Sequence, residues 1–87
     1  MANSPSAEKR IRQDAKRRAR NRWRKSQIRD VVRDFDDALQ AGDLDKAQAQ
    51  LNVVYKTLDK VAAKGTIHKN AASRRKARLT ARLNAAR

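Results

Sequence analysis

The sequence predicts an all-α protein, an antiparallel three-helix bundle whose long, basic first helix overhangs the packed part. Composition is the first ground: Ala, Arg, Lys, Gln and Leu dominate, with a single proline and two glycines in 87 residues. These are strong helix formers with few breakers, and no segment supports a strand. The second ground is spacing, because apolar residues through the middle of the chain recur at steps of three and four, the period of one helix face. The third is punctuation: Gly42-Asp43 and Lys64-Gly65 divide the chain into segments of unequal length.

The first helix is expected over residues 5–41. Ser4 and Pro5 suit its start, and Glu8 lies near its positive end. Ile28, Val31, Val32, Phe35, Ala38 and Leu39 make an apolar stripe on its C-terminal half. Upstream, only Ile11, Ala15, Ala19 and Trp23 extend that face. Gly42 can close the helix in a left-handed conformation, and Asp43 can cap the next, expected over residues 43–64 with Asp45 in its first turn. Leu44, Ala47, Leu51, Val54, Leu58 and Val61 form a seam that packs antiparallel against the first stripe. Phe35 and Leu51 fall near the middle of their seams and should be fully buried. After Gly65 a third helix is expected over residues 66–86, with Ile67, Ala72, Leu79, Leu83 and Ala86 on one sparse face.

Lengths and charge then separate two kinds of region. At 1.5 Å per residue the first helix reaches roughly 54 Å and the second roughly 30 Å, so the first must overhang the bundle. Residues 1–29 carry 11 basic and 2 acidic groups, residues 30–63 carry 4 and 7, and residues 64–87 carry 8 and none. Of 18 large apolar residues, 12 lie between Ile28 and Val61. The middle is the core and the arms are surface. A chain this short buries only about 60% of its unfolded surface. With so little apolar content in its arms, part of it should order only on its partner.

The formal charge of +14 calls for a polyanion, since a compact state bearing it repels itself. With no cysteine, the chain offers no disulfide framework or thiol chemistry, which fits a reducing compartment. No stretch approaches the roughly 20 apolar residues of a membrane span, and the expected location is cytoplasmic. His68 is the single histidine and cannot complete a zinc site, so no metal or other cofactor is expected. There is no glycine-rich phosphate loop and no nucleophile with a base at hand. Asp34, Asp36 and Asp37 have the spacing of a solvated helix face. No catalytic residue and no small-molecule substrate are expected.

An antiparallel bundle returns the chain at Gly65 to the end near Ile28, beside the root of the overhang. Arg10, Arg12, Lys16, Arg17, Arg18, Arg20, Arg22, Arg24 and Lys25 then adjoin the basic run from Lys64 to Arg78, which includes Arg75, and both sets form one surface. The start of the third helix carries positive side chains where a helix favours negative ones. A phosphate there would meet free backbone N–H groups after Thr66 and neutralise Lys69 and its neighbours. Trp23, set among arginines, is expected to pack against the third helix, with stacking on a base or sugar as the alternative. RNA held through its backbone and shape suits this pattern better than fixed-register DNA, because Ala41-Gly42-Asp43 breaks any zipper after about three turns. A nucleoid-type DNA-binding protein and a helical module docking a protein through its acidic middle are the competing functions.

The stretch Lys64-Gly65-x-Ile67-His68-Lys69-Asn70-x-Ala72-x-Arg74-x-Lys76-x-Arg78-Leu79 resembles a known family. So do Ser6-Ala7-x-Lys9-Arg10 and Arg20-Asn21-x-x-x-Lys25-Ser26-x-x-Arg29 upstream. The family is the bacterial small-subunit ribosomal protein numbered twenty, and the resemblance covers nearly the whole chain. It implies a three-helix bundle bound as a monomer to the RNA of the small ribosomal subunit, among other ribosomal proteins, active early in assembly and without catalysis. The location implied is the ribosome, in the cytoplasm or a plastid stroma. By the same resemblance the RNA-facing positions are Lys9, Arg10, Asn21, Lys25, Ser26, Lys64, His68, Lys69, Asn70, Arg74, Lys76 and Arg78. Asp30, where the family often has Thr or another uncharged or basic residue, and Ala77, where Ser is frequent, depart from its pattern.

Overall fold

The computed structural model describes residues 5–87 and contains three helices, α1 (Pro5–Gln40), α2 (Leu44–Ala63) and α3 (Lys69–Ala86). The expected cap at Ser4 lies outside the described residues. Both turns between helices are built the same way. After α1, Gly42 takes φ +75°. Its N–H donates to Leu39 O at 3.1 Å, and that of Asp43 to Ala38 O at 3.1 Å. After α2, Gly65 takes φ +78°. Its N–H donates to Ala62 O at 3.0 Å, and that of Thr66 to Val61 O at 3.2 Å. The left-handed glycine thus lets two N–H groups reach back to carbonyls the helix end leaves unpaired. Asp43 then caps α2, its Oδ1 accepting from Lys46 N at 3.1 Å.

The third helix starts three residues later than expected, at Lys69 rather than Thr66. The Thr66 hydroxyl is turned to α1, donating to Asn21 Oδ1 at 2.9 Å and accepting from Arg24 Nη1 at 3.3 Å. It is therefore not spent on capping. His68 caps instead, with extended backbone and Nδ1 accepting from Asn70 N at 3.0 Å. That bond requires an unprotonated Nδ1.

The core joins Ile28, Phe35 and Ala38 of α1, Ala47, Leu51, Val54, Leu58 and Val61 of α2, and Ala72, Leu79 and Leu83 of α3. Phe35 is 0% exposed and Leu51 3%, as the seams predict. Full burial of a side chain of Phe size contributes about 1.5–3 kcal/mol. α2 is the middle helix: α1 and α3 both pack on it. Ile67 packs against this core from just before α3, whereas Ala86 is exposed, so the expected face of α3 ends at Leu83. Tyr55 and Thr80 hydroxyls share a hydrogen bond between α2 and α3. Asp36 is not part of a solvated face with Asp34 and Asp37. It is half-buried and lies 2.6 Å from Arg82 Nη2 of α3.

The molecule measures 63 × 22 × 16 Å, with a radius of gyration of 17.6 Å. A compact chain of this length would have about 12 Å. The difference is the overhang: none of residues 6–20 is buried. Trp23 also departs from expectation. It is 61% exposed and does not pack on α3; its neighbours are Lys60, Val61 and Lys64 at the end of α2. The reason is angular. Steps of four drift around a helix, and Trp23, five residues before Ile28, lies about 140° from it. The true seam continues through Arg24 and Asn21, where it turns polar and meets Thr66.

Candidate nucleic-acid interface

The Asn21–Thr66–Arg24 bridge fixes the root of the overhang to the α2–α3 turn, and cations gather around it. One concavity is lined by Arg17, Arg20, Asn21, Arg24, Lys64 and Gly65. Arg18, Asn21, Arg22 and Lys25 line a second, on the flank of α1. Lys25, Ile28, Arg29, Ile67 and Arg75 line a third, between α1 and the start of α3. From there Arg75, Arg78 and Arg82 lead along the α1–α3 groove over Val32 and Leu79. No carboxylate lines any of the four. The two basic segments, separate in sequence, therefore share one surface around the root of the overhang and along the start of α3, and a polyanion bound there would relieve the mutual repulsion of its cations.

The other expected residues have distinct places. Lys9, Arg10, Arg12 and Lys16 are exposed along the overhang and extend the basic surface away from the bundle. Arg12 lies about 13 Å along the helix from Asn21. His68, Lys69, Asn70 and Arg74 are exposed on the cap and first turns of α3, outside the concavities. His68 supplies a neutral acceptor to one N–H of the first turn, which satisfies one of the free donors there without any ligand. Ser26 is half-buried and accepts from Arg29 Nη2 at 3.4 Å. Lys76 is engaged within the protein: its Nζ pairs with Asp59 of α2 and sits 5.3 Å from the centre of the Tyr55 ring. Asp30, a departure from the family pattern, pairs with Arg33 at 3.2 Å.

The RNA-facing residues expected from the sequence do not include Arg29, Lys60 or Thr66, although all three line or organise this end of the molecule. Arg29 follows Lys25 by four residues, a spacing that places both on one helix face. Lys60 precedes Lys64 by the same step. Thr66 carried no such signal, because its partners lie 42 and 45 residues away.

Among the described residues, no helix is long and apolar enough to cross a membrane. A family model described as Ribosomal protein S20 matches residues 2–84. The chain is 50% identical over 86 residues to the small ribosomal subunit protein bS20 of Alkaliphilus metalliredigens (strain QYMF), covering 99% of both proteins. It is 51% identical over 84 residues to the protein of that name from Mycobacterium sp. (strain JLS), covering 97% of this chain and 98% of the relative. Against that of Aquifex aeolicus (strain VF5) the identity is 44% over 86 residues, covering 99% and 92%. A match of this extent, on a fold of three helices with a long basic first helix, places the chain in the ribosomal protein S20 family.

Proposed function

We propose that the protein is a structural, non-catalytic constituent of the small ribosomal subunit that binds its ribosomal RNA directly as a monomer, through one helical RNA-binding domain spanning residues 1–87, and aids assembly of the particle. The relatives carry the small subunit in their names. The observation that carries the RNA contact is the junction at Thr66, which brings Arg17, Arg20 and Arg24 of α1 beside Lys64 of the second turn. Guanidinium and ammonium groups there contact phosphates and set position, while the straight overhang follows the shape of the folded RNA. The side chains of Lys9, Arg10, Arg12, Lys16, Lys69 and Arg74 extend the same contact along both arms. Lys76, tied to Asp59 and Tyr55, acts through packing of α3 on α2.

Sucrose-gradient sedimentation and salt titration test this. The protein should remain with small subunits at salt concentrations that strip duplex DNA from it. Its affinity for small-subunit ribosomal RNA should fall with salt, each phosphate contact adding about 0.7 to 0.9 to the log–log slope. Sedimentation at the top of the gradient, with equal affinity for any duplex DNA, would contradict the proposal.

A further inference from the structure

Trp23 is the one tryptophan of the chain, and 61% of its surface is exposed. It shares a groove with Arg24, Gln27, Lys60, Val61 and Lys64. The groove has an apolar wall made by the indole, with the buried Val61 beneath it, three cations around it, an amide at Gln27, and no carboxylate. Among the described residues, the ring-over-cation contact is that of Lys76 with Tyr55, so the indole face is not covered by a neighbouring charge. A flat aromatic surface bordered by cations is complementary to one chemical group above others: a base with its own phosphates. Stacking suits any base, since every base has a π face. The phosphates on either side fall to the cations.

We infer that the groove between α1 and the end of α2 takes one unpaired nucleotide of the RNA, its base stacked on the Trp23 indole and its flanking phosphates held by Arg24, Lys60 and Lys64. The inference rests on the proposed RNA binding and adds a site for a single-stranded or bulged position to a surface otherwise suited to phosphates. A paired base would not serve, because its faces are already stacked in the helix. Trp23 contributes little to the fold, being off the α1 seam. Its replacement therefore separates binding from stability.

Because the chain has one tryptophan, its emission, excited at the red edge of the absorption where Tyr55 does not absorb, reports on this groove alone. The full-length protein is titrated with small-subunit ribosomal RNA, with a blunt RNA duplex and with a single-stranded RNA oligomer, following both emission and affinity. Emission should be quenched by the ribosomal RNA and the single strand, but not by the duplex. Trp23→Ala should weaken binding to the ribosomal RNA by about 5- to 150-fold. Trp23→Phe should lose less than Trp23→Leu. The melting temperature and the salt slope should be unchanged in all three variants. Salt-dependent binding with unaltered emission and unaltered Trp23→Ala affinity would overturn the nucleotide site while leaving the proposed function intact. Equal quenching by duplex would overturn the unpaired base. An emission change seen only in complete subunits, and not with naked RNA, would assign the groove to a protein neighbour and overturn it as well. Absence of any RNA binding would overturn both proposals.

Discussion

The two halves of α1 belong to one continuous helix yet obey different rules. From Ile28 to Leu39 the helix presents an apolar stripe, and Ile28, Phe35 and Ala38 are buried against α2 and α3. From residue 6 to residue 20 nothing is buried, and cations point in most directions around the axis. The difference teaches that α1 is held at one end only. Its C-terminal half contributes stability by burial, and its N-terminal half contributes none. Residue by residue, ordering costs about 1 to 2 kcal/mol, which hydrophobic burial can offset in the first region but not in the second.

The sharpest contrast should come from a cavity in the packed half. Phe35→Ala removes a fully buried ring and should cost about 3 to 5 kcal/mol, enough to melt so small a bundle. Circular dichroism with thermal melting checks it. An unchanged melting midpoint would mean that the stripe is not the core. Next in size are the turns. Gly42→Ala and Gly65→Ala force a Cβ into left-handed backbone and should each cost about 1 to 2 kcal/mol, although nothing stands within 4 Å of either added atom. Denaturant titration of both variants should show the loss, and neutral substitutions would contradict the helix-end geometry.

The overhang should behave in the opposite way. Arg12→Ala and Lys16→Ala are expected to leave stability within about 0.5 kcal/mol of the parent, while each lowers the salt slope of RNA binding by about 0.7 to 0.9. Hydrogen exchange on the free protein gives the same contrast without substitution. Amides before about Trp23 should exchange fast, and those near Val32, Leu51 and Leu58 slowly. On RNA the arm should become protected. Uniform protection in the free protein would erase the distinction between the halves.

The packed half was legible in the sequence because its determinants are local. Steps of three and four place Phe35, Leu51 and Leu58 on seams, and a glycine followed by a capping residue marks where α1 stops and α2 starts. What the sequence left hidden depends on neighbours from distant segments. Thr66 has the chemistry of a helix cap, but its hydroxyl is taken by Asn21 and Arg24, so the cap passes to His68. Lys76 has the pattern of a surface cation until Asp59 and Tyr55 of the facing helix claim it. Trp23 extends the apolar stripe by steps of four, but over several such steps the turn of the helix carries it off the seam. The meeting of the two basic arms was legible, since antiparallel topology alone requires it.

One paired substitution tests the placement of the proposed RNA surface most directly. Lys69 and Lys46 both lie in the first turn of a helix, are both exposed, and occupy opposite ends of the bundle. Replacing either by Glu makes the same charge change and should favour its helix by about 0.3 to 1 kcal/mol through the helix dipole. Affinity for small-subunit ribosomal RNA, measured across a salt series for Lys69→Glu and Lys46→Glu, separates position from total charge. Lys69→Glu should bind more weakly, with a slope shallower by about 0.7 to 0.9 or more, although its fold is no less stable. Lys46→Glu should bind nearly as the parent does. Equal losses in the two variants would show that net charge, and not a surface built at one end of the bundle, holds the RNA.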